Sequence, residues 1–186
     1  MTHTRINKQT YASIAKWLPL GFAITVVFAF VYLALQQNLR TDANDPQVAI
    51  AGGIADALQS GIPYEAFTTP ASIDIAQSLA SYALLFDLDH LPVARNASLH
   101  GSMLTPPAGV FAYLKSHGED RFTWQPEPGV RQAVVGLYHT GVNPGYIFVG
   151  RSLREVEYRE VRLLGMTATA WAITMLGSLA LSLLVA

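Results

Sequence analysis

Two long uncharged apolar runs, one near each end of the chain, limit what this sequence can fold into more than any other feature. Residues 17–35 read WLPLGFAITVVFAFVYLAL, and residues 163–186 are likewise free of charged side chains. A helix needs about 20 apolar residues to cross a hydrocarbon core of roughly 30 Å. Each run is long enough for one crossing, so we predict transmembrane helices at 17–37 and at 163–186.

A cleaved signal peptide is the alternative interpretation of the first run. The run is long for the apolar region of such a peptide, and the sequence LALQQNLR at its end offers no clear small-x-small cleavage site. The composition favours a membrane protein, because 51% of the residues are hydrophobic and only 13% are charged. A net charge of −1 gives no electrostatic basis for binding nucleic acid. The absence of cysteine excludes disulfides and thiolate chemistry.

Basic residues near the first run predict its orientation in the membrane. Arg5, Lys8 and Lys16 precede the run without an acidic residue among them, and Arg40 is the only base close behind it. Since basic residues concentrate on the cytoplasmic side, we expect the segment 1–16 and the C-terminus in the cytoplasm, with the centre of the chain outside. Four arginines before the second run oppose this orientation, but a folded domain crosses largely regardless of such charge. These four are Arg151, Arg154, Arg159 and Arg162.

The central residues 38–150 have the pattern of one α+β domain. Apolar residues at helical spacing predict a helix over 47–61, and the sequence TPP predicts the start of another over 106–118. Five strand-like runs are separated by turn sequences such as PEPG and TGVNPG. Two strands, a helical crossover and three more strands predict a five-stranded antiparallel sheet. The predicted strands are 82–88, 93–97, 121–126, 131–139 and 145–152.

Three segments extend this pattern to a family resemblance. The strands RFTWQP and GVRQAVV and the junction GRSLREVE resemble the extracytoplasmic PAS-like (PDC-type) sensor region of bacterial two-component histidine kinases. The resemblance implies a PAS-like domain between two membrane helices in the bacterial inner (cytoplasmic) membrane. The phosphoacceptor helix and ATP-binding domain of such kinases do not follow the second run in this sequence. We therefore expect a non-enzymatic sensor that signals through its helices to another membrane protein or to a second copy.

A structural accessory subunit of a larger membrane complex is the alternative function. A sensor needs a pocket with converging polar groups and a movable junction between sheet and helix. An accessory subunit needs an exposed apolar or shape-complementary face and tight packing of its two spans. The sequence shows no convergent catalytic set, since HExxH, G-x-S-x-G and P-loop motifs do not occur in it. We therefore predict no enzymatic activity, no cofactor and no metal site.

If the domain binds a small molecule, the resemblance implies a pocket between the sheet and the 106–118 helix. An arginine that faces such a pocket suits a carboxylate, because its guanidinium offers paired N–H donors. Alternation along 131–139 puts Arg131 and Tyr138 on opposite faces, and either face could point inward. The alternative is that the aromatic side chains belong to the core and that Arg131 is a solvated strand end. The candidate ligand-binding residues are Tyr113, Trp124, Arg131, Tyr138 and His139.

The charged segment 151–162 leads from the last strand to the second apolar run. We predict that Gly150 ends the strand and that Ser152 caps a helix, with Glu155 as its capping-box partner. A strand that feeds directly into a stiff helix can pass a shift of the sheet to the membrane helix. The alternative is that the charges only keep the helix hydrated up to the bilayer.

Overall fold

The computed structural model describes residues 8–42, 45–67 and 73–185, and their secondary structure is α+β. Three helical segments come first: α1 (Lys8–Asp42), α2 (Asp45–Gln59) and a 3-10 helix at Tyr64–Phe67. Residues 1–7 of the predicted segment 1–16 lie outside the described residues. The remaining elements are β1 (Ile73–Asp74), β2 (Tyr82–Phe86), β3 (Pro92–Arg95), β4 (Ala97–Ser98), α3 (Ala108–His117), β5 (Glu119–Glu127), β6 (Val130–His139), β7 (Gly145–Ser152) and α4 (Arg154–Leu184).

The chain divides into two compact units. One comprises Met1–Leu39 and Tyr158–Ala186, and the other comprises Arg40–Glu157. Helix α4 therefore begins in the second unit and continues into the first.

The predicted five-stranded antiparallel sheet is confirmed, with the strand order β3-β2-β7-β6-β5. Hairpins join β5 to β6 and β6 to β7. Strand β2 also pairs with β7, although the segment that contains α3 separates the two strands in sequence. The PEPG sequence forms the β5–β6 turn, in which Gly129 has a φ of 84°. Glycine adopts this left-handed conformation without the steric cost of a Cβ atom, so the turn places β6 directly beside β5.

The two faces of the sheet are covered by different helices. On one face, Phe111 of α3 packs edge-to-face on Phe148 of β7, with ring centroids 5.2 Å apart. On the other face, Leu58 of α2 packs with Ile147 of β7 in a second buried cluster. Because side chains alternate along β7, Ile147 and Phe148 point to opposite faces of the sheet. Both faces are covered, which explains why the sequence of this strand is a continuous apolar run.

A small parallel pairing lies outside the predicted set of strands. Strand β1 pairs with β4, with Ile73 opposite Ala97 and Asp74 opposite Ser98. The predicted strand 93–97 is thus divided between β3 and β4, and the predicted strand 82–88 ends at Phe86. A two-residue strand has no periodicity to read, and its partner lies more than twenty positions away in the sequence.

Helices α1 and α4 are both long and apolar enough to cross a membrane. The candidate spans are Ser13–Leu39, with 27 residues, and Arg154–Leu184, with 31 residues. Within the first unit the two helices run antiparallel, because the indole Nε1 of Trp17 donates to Ser178 Oγ at 2.9 Å, whereas that of Trp171 donates to Thr25 Oγ1 at 3.1 Å.

Both hydroxyls in these contacts also donate within their own helix. Thr25 Oγ1 donates to the carbonyl of Gly21 at 2.9 Å, and Ser178 Oγ donates to the carbonyl of Met175 at 3.0 Å. In both places the indole N–H donates to a hydroxyl, and that hydroxyl donates to a backbone carbonyl. The polar hydrogens of the indoles and of the hydroxyls are therefore all hydrogen-bonded. Satisfied polar groups are what an apolar environment requires of a helix pair, because water is not there to replace a missing partner.

Candidate functional site at the strand-to-helix junction

The structure does not bring the five predicted ligand residues together. Trp124 and Tyr138 both contribute to the cluster on the α3 side of the sheet. Trp124 pairs with Gln132 of β6, and six residues of strand between Gln132 and Tyr138 correspond to about 20 Å. The two aromatic side chains thus lie near opposite ends of that face.

The other three predicted residues lie elsewhere. Alternation along β6 puts Arg131 and His139 on the face of Val135, which packs with α2. Tyr113 is an exposed residue of α3, and its ring stacks on His117 with centroids 4.0 Å apart. A shared ligand-binding role for the five residues stays a prediction without a common location.

Core side chains occupy the space between α3 and the sheet, where the pocket is predicted. Phe111 and Leu114 of α3 are fully buried there. A Cβ atom added to Gly136 of β6 would lie 2.8 Å from Leu114 Cδ1, so the helix sits directly on the strand at this point.

The junction between β7 and α4 consists of a single residue. Strand β7 ends at Ser152 and α4 begins at Arg154, which leaves only Leu153 between them. The prediction that Gly150 ends the strand is wrong, because β6 is long enough to continue the pairing as far as Gln132 opposite Ser152. The hydroxyl of Ser152 accepts a hydrogen bond from the Arg154 N–H at 3.3 Å. The last residue of β7 therefore pairs with a free backbone N–H of the first turn of α4.

Arg131 connects this junction to the neighbouring strand β6. Its carbonyl accepts a hydrogen bond from the Leu153 N–H at 2.9 Å, and its Nη1 donates to Glu157 Oε1 at 2.5 Å. The Arg131 and Glu157 side chains are 49% and 43% exposed, so the ion pair contributes at most about 1 kcal/mol. Its main effect is geometric, since it fixes the first turn of α4 against β6.

Two further arginines bind the turn that follows β1. Arg154 Nη2 donates to the carbonyl of Ala76, and Arg151 Nε donates to the carbonyl of Leu79 at 3.2 Å. Arg151 Nη2 also donates to Glu155 Oε2 at 2.9 Å. Hydrogen bonds from a charged guanidinium are stronger than neutral ones, and the planar group fixes their direction. The start of α4 is therefore attached to β7, to β6 and to the turn over residues 74–79.

Buried polar side chains lie on the sheet near the junction. Gln132 is 1% exposed, and its Nε2 donates to the carbonyl of Ile75 at 3.2 Å. Within the described chain, neither Gln132 Oε1 nor the Tyr82 hydroxyl has a hydrogen-bond partner. Burial raises the pKa of the Tyr82 hydroxyl far above its ordinary value. A buried polar group without a partner costs about 1–3 kcal/mol, so the domain is less stable than its apolar core alone would make it.

No protein-family model matches this chain, and no curated protein is significantly similar to it. Its class is therefore defined by its own architecture, an α+β domain with a five-stranded antiparallel sheet and two helices long enough to cross a membrane.

The junction residues that sequence reasoning missed are Tyr82, Gln132 and the carbonyls of Ala76 and Leu79. These contacts join positions 57 to 78 residues apart in sequence, and no local pattern marks them.

Proposed function

We propose that this protein is a non-enzymatic two-span membrane protein whose PAS-like domain senses a ligand or partner and signals through α4 to another membrane protein. The observation that carries the proposal is the one-residue link at Leu153. Together with the bonds of Arg131, this link leaves no flexible segment to absorb a movement of β7. Packed side chains, hydrogen-bond networks and rigid secondary elements of this kind carry coupling between distant sites.

The proposed location is the bacterial inner membrane, with both termini in the cytoplasm and the domain outside. The basic residues Arg5, Lys8 and Lys16 support this orientation. Large apolar side chains on α1 also support burial in lipid, since Phe22 and Phe30 are more than 70% exposed within the chain itself. A surface of this kind is unfavourable in water but suits a hydrocarbon environment.

A PAS-like identity is compatible with the order of the elements, in which helices flank an antiparallel sheet of five strands. The packing of α3 favours the second candidate, a structural accessory subunit. Because Phe111 and Leu114 fill the space under α3, the domain also suits a rigid surface for binding another protein. The two functions differ in whether the junction has to move.

The proposed topology can be tested with single cysteines, because the chain has none of its own. Ala112 is exposed on α3, so a membrane-impermeant maleimide should label Ala112→Cys in spheroplasts. The same reagent should label His3→Cys only after the membrane has been opened. Labelling in the reverse order would place the domain in the cytoplasm and overturn the proposal.

The proposed coupling can be tested by lengthening the junction. Two glycines inserted after Leu153 should leave the domain folded and change the cross-links that a photoreactive residue at Tyr158, exposed on α4, forms in native membranes. The same insertion after Gly141, in the β6–β7 turn, is the matched control and should leave the cross-links unchanged. If a stoichiometric complex co-purifies and neither insertion alters it, the accessory function replaces the sensor.

A further inference from the structure

His100 lies in a tight turn and stands between two carboxylates. The turn follows β4, and the backbone of Leu99 and Ser102 pairs across it. His100 has a φ of 50° and Gly101 a φ of 80°, so two consecutive residues adopt the left-handed region. This conformation is uncommon for a histidine, and it directs the imidazole towards Asp74 and Glu127.

The two ring nitrogens of His100 face different acids. Nε2 lies 2.9 Å from Glu127 Oε1 on β5, and Nδ1 lies 3.8 Å from Asp74 Oδ2 on β1. A neutral imidazole has one N–H and can donate to only one of them, whereas the imidazolium has two donors and attracts both carboxylates. The hydrogen bond to Glu127, together with the charges of Glu127 and Asp74, raises the pKa of His100 above 6.5.

Asp74 connects this histidine to the turn that the arginines bind. Its Oδ1 accepts a hydrogen bond from the Ala76 N–H at 3.0 Å, and its carbonyl accepts from Gln77 and Ser78 at 3.0 and 2.8 Å. On the far side of the same turn, the Ala76 carbonyl accepts the bond from Arg154 of α4. Two hydrogen-bonded steps therefore separate Asp74 from the first turn of the membrane helix.

We propose that protonation of His100 tightens the 74–79 turn against β4 and β5, and that this turn passes the change to the start of α4 through Arg154 and Arg151. The signal in this case is the proton itself. The inference rests on the proposed sensor role of the junction, because the same arginines hold α4 there.

The charged groups around the network define its pH dependence. Within the described part of the chain, Asp74 and Glu127 are the charged groups that act on His100. Arg151 and Arg154 approach the turn from its other side, at its carbonyls. Because the folded pKa of His100 lies above the unfolded value of 6.5, its stabilising effect is complete below pH 6.5 and is lost as the pH rises through the folded pKa.

A nitroxide at Gln77→Cys in the full-length protein in nanodiscs tests the proposal, since Gln77 is exposed and the chain contains no other thiol. Between pH 8 and pH 5, the label should become less mobile, with a midpoint above pH 6.5. His100→Asn, which tolerates the left-handed backbone, should abolish this change. His117→Asn is the matched control, because His117 is exposed and contacts Tyr113 and Ser116 of α3, and it should leave the change intact.

A second variant tests the same network if His100→Asn does not fold. Glu127→Gln keeps an acceptor but removes the charge, so the midpoint should move to lower pH. A label that stays equally mobile across the range while the His100 ring titrates by NMR would overturn the inference, as would a pH response that persists in His100→Asn. Either result leaves the sensor proposal standing, because that proposal is tested by the insertion after Leu153. Conversely, unchanged cross-links with a pH-dependent label would reject the sensor and the transmission to α4, and would keep only the tightening of the 74–79 turn by His100.

Discussion

Tyr82 buries a hydroxyl that has no hydrogen-bond partner within the described residues. The hydroxyl lies over Gly150 of β7, where a Cβ atom would come within 2.3 Å of it. Tyr82→Phe keeps the ring and removes the unpaired group, so we expect the free energy of unfolding of the domain to rise by about 1 kcal/mol. Urea unfolding followed by the fluorescence of Trp124 measures this change.

Tyr64 provides the matched control for that substitution. Its hydroxyl donates to the carbonyl of Asn143 at 2.7 Å, which anchors the 3-10 helix to the β6–β7 turn. Tyr64→Phe removes a hydrogen bond that is made, so the same chemical change should lower the free energy of unfolding by about 1 kcal/mol. If both substitutions lower the free energy of unfolding, the Tyr82 hydroxyl has a hydrogen-bond partner in solution.

At the scale of elements, polar contacts set the register of α1 against α4. The contacts join Trp17 to Ser178 and Thr25 to Trp171, and Ser182 Oγ donates to the carbonyl of Ser13 at 3.4 Å. Each pair of numbers adds to 195 or 196, as an antiparallel pair in constant register requires. In lipid or detergent, hydrogen bonds between apolar helices contribute about 0.6–2 kcal/mol each, so Ser178→Ala and Thr25→Val should both weaken the pairing there.

Disulfide formation measures this register directly, since the natural chain has no cysteine. Ser13→Cys with Ser182→Cys should oxidise rapidly, whereas Ser13→Cys with Leu176→Cys, six residues away on an exposed position, should not. In the Ser178→Ala and Thr25→Val background the first pair should oxidise more slowly. Equal rates for both cysteine pairs would mean that the helices do not hold the antiparallel register.

The elements of this fold were predictable where periodicity or turn chemistry marks them. The five strands of the sheet, α2 and α3 follow from apolar spacing and from turn sequences such as PEPG. The β1–β4 pair was not predictable, because Ile73–Asp74 is too short to show a pattern. The predicted run 145–152 matches β7, whereas the choice of Gly150 as its last residue missed the pairing of Gln132 with Ser152, which is a property of the neighbouring strand.

The candidate site was less predictable than the fold. Arg131 is a candidate for binding the carboxylate of a ligand, with a solvated strand end as the alternative, and in the structure its guanidinium binds Glu157 of α4. The alternation of β6 showed that Arg131 and Tyr138 face opposite ways, but the choice of face depends on α2 and α3, which pack from distant parts of the chain. The role of Ala76 was invisible to sequence reasoning, because a backbone carbonyl has no side-chain signature.

At the scale of the whole molecule, the three tryptophans are divided between the two units. Trp17 and Trp171 belong to the unit formed by the long helices, and Trp124 belongs to the α+β unit. Fluorescence can therefore follow each unit separately, with Trp17→Phe and Trp171→Phe combined to leave Trp124 as the only reporter. Trp124→Phe is the complementary variant, in which only the helices report.

We expect urea in mild detergent to unfold the α+β unit while α1 and α4 stay helical. The sheet is held by burial of apolar side chains from water, which urea weakens, whereas helices in an apolar environment keep their backbone hydrogen bonds because unpaired groups there are costly. The Trp124 signal should therefore pass through a cooperative transition while far-UV circular dichroism retains a large helical signal. In Trp124→Phe, the fluorescence should stay constant over the same urea range. Coincident loss of the Trp124 signal and of all helicity would instead show that the two units unfold as one.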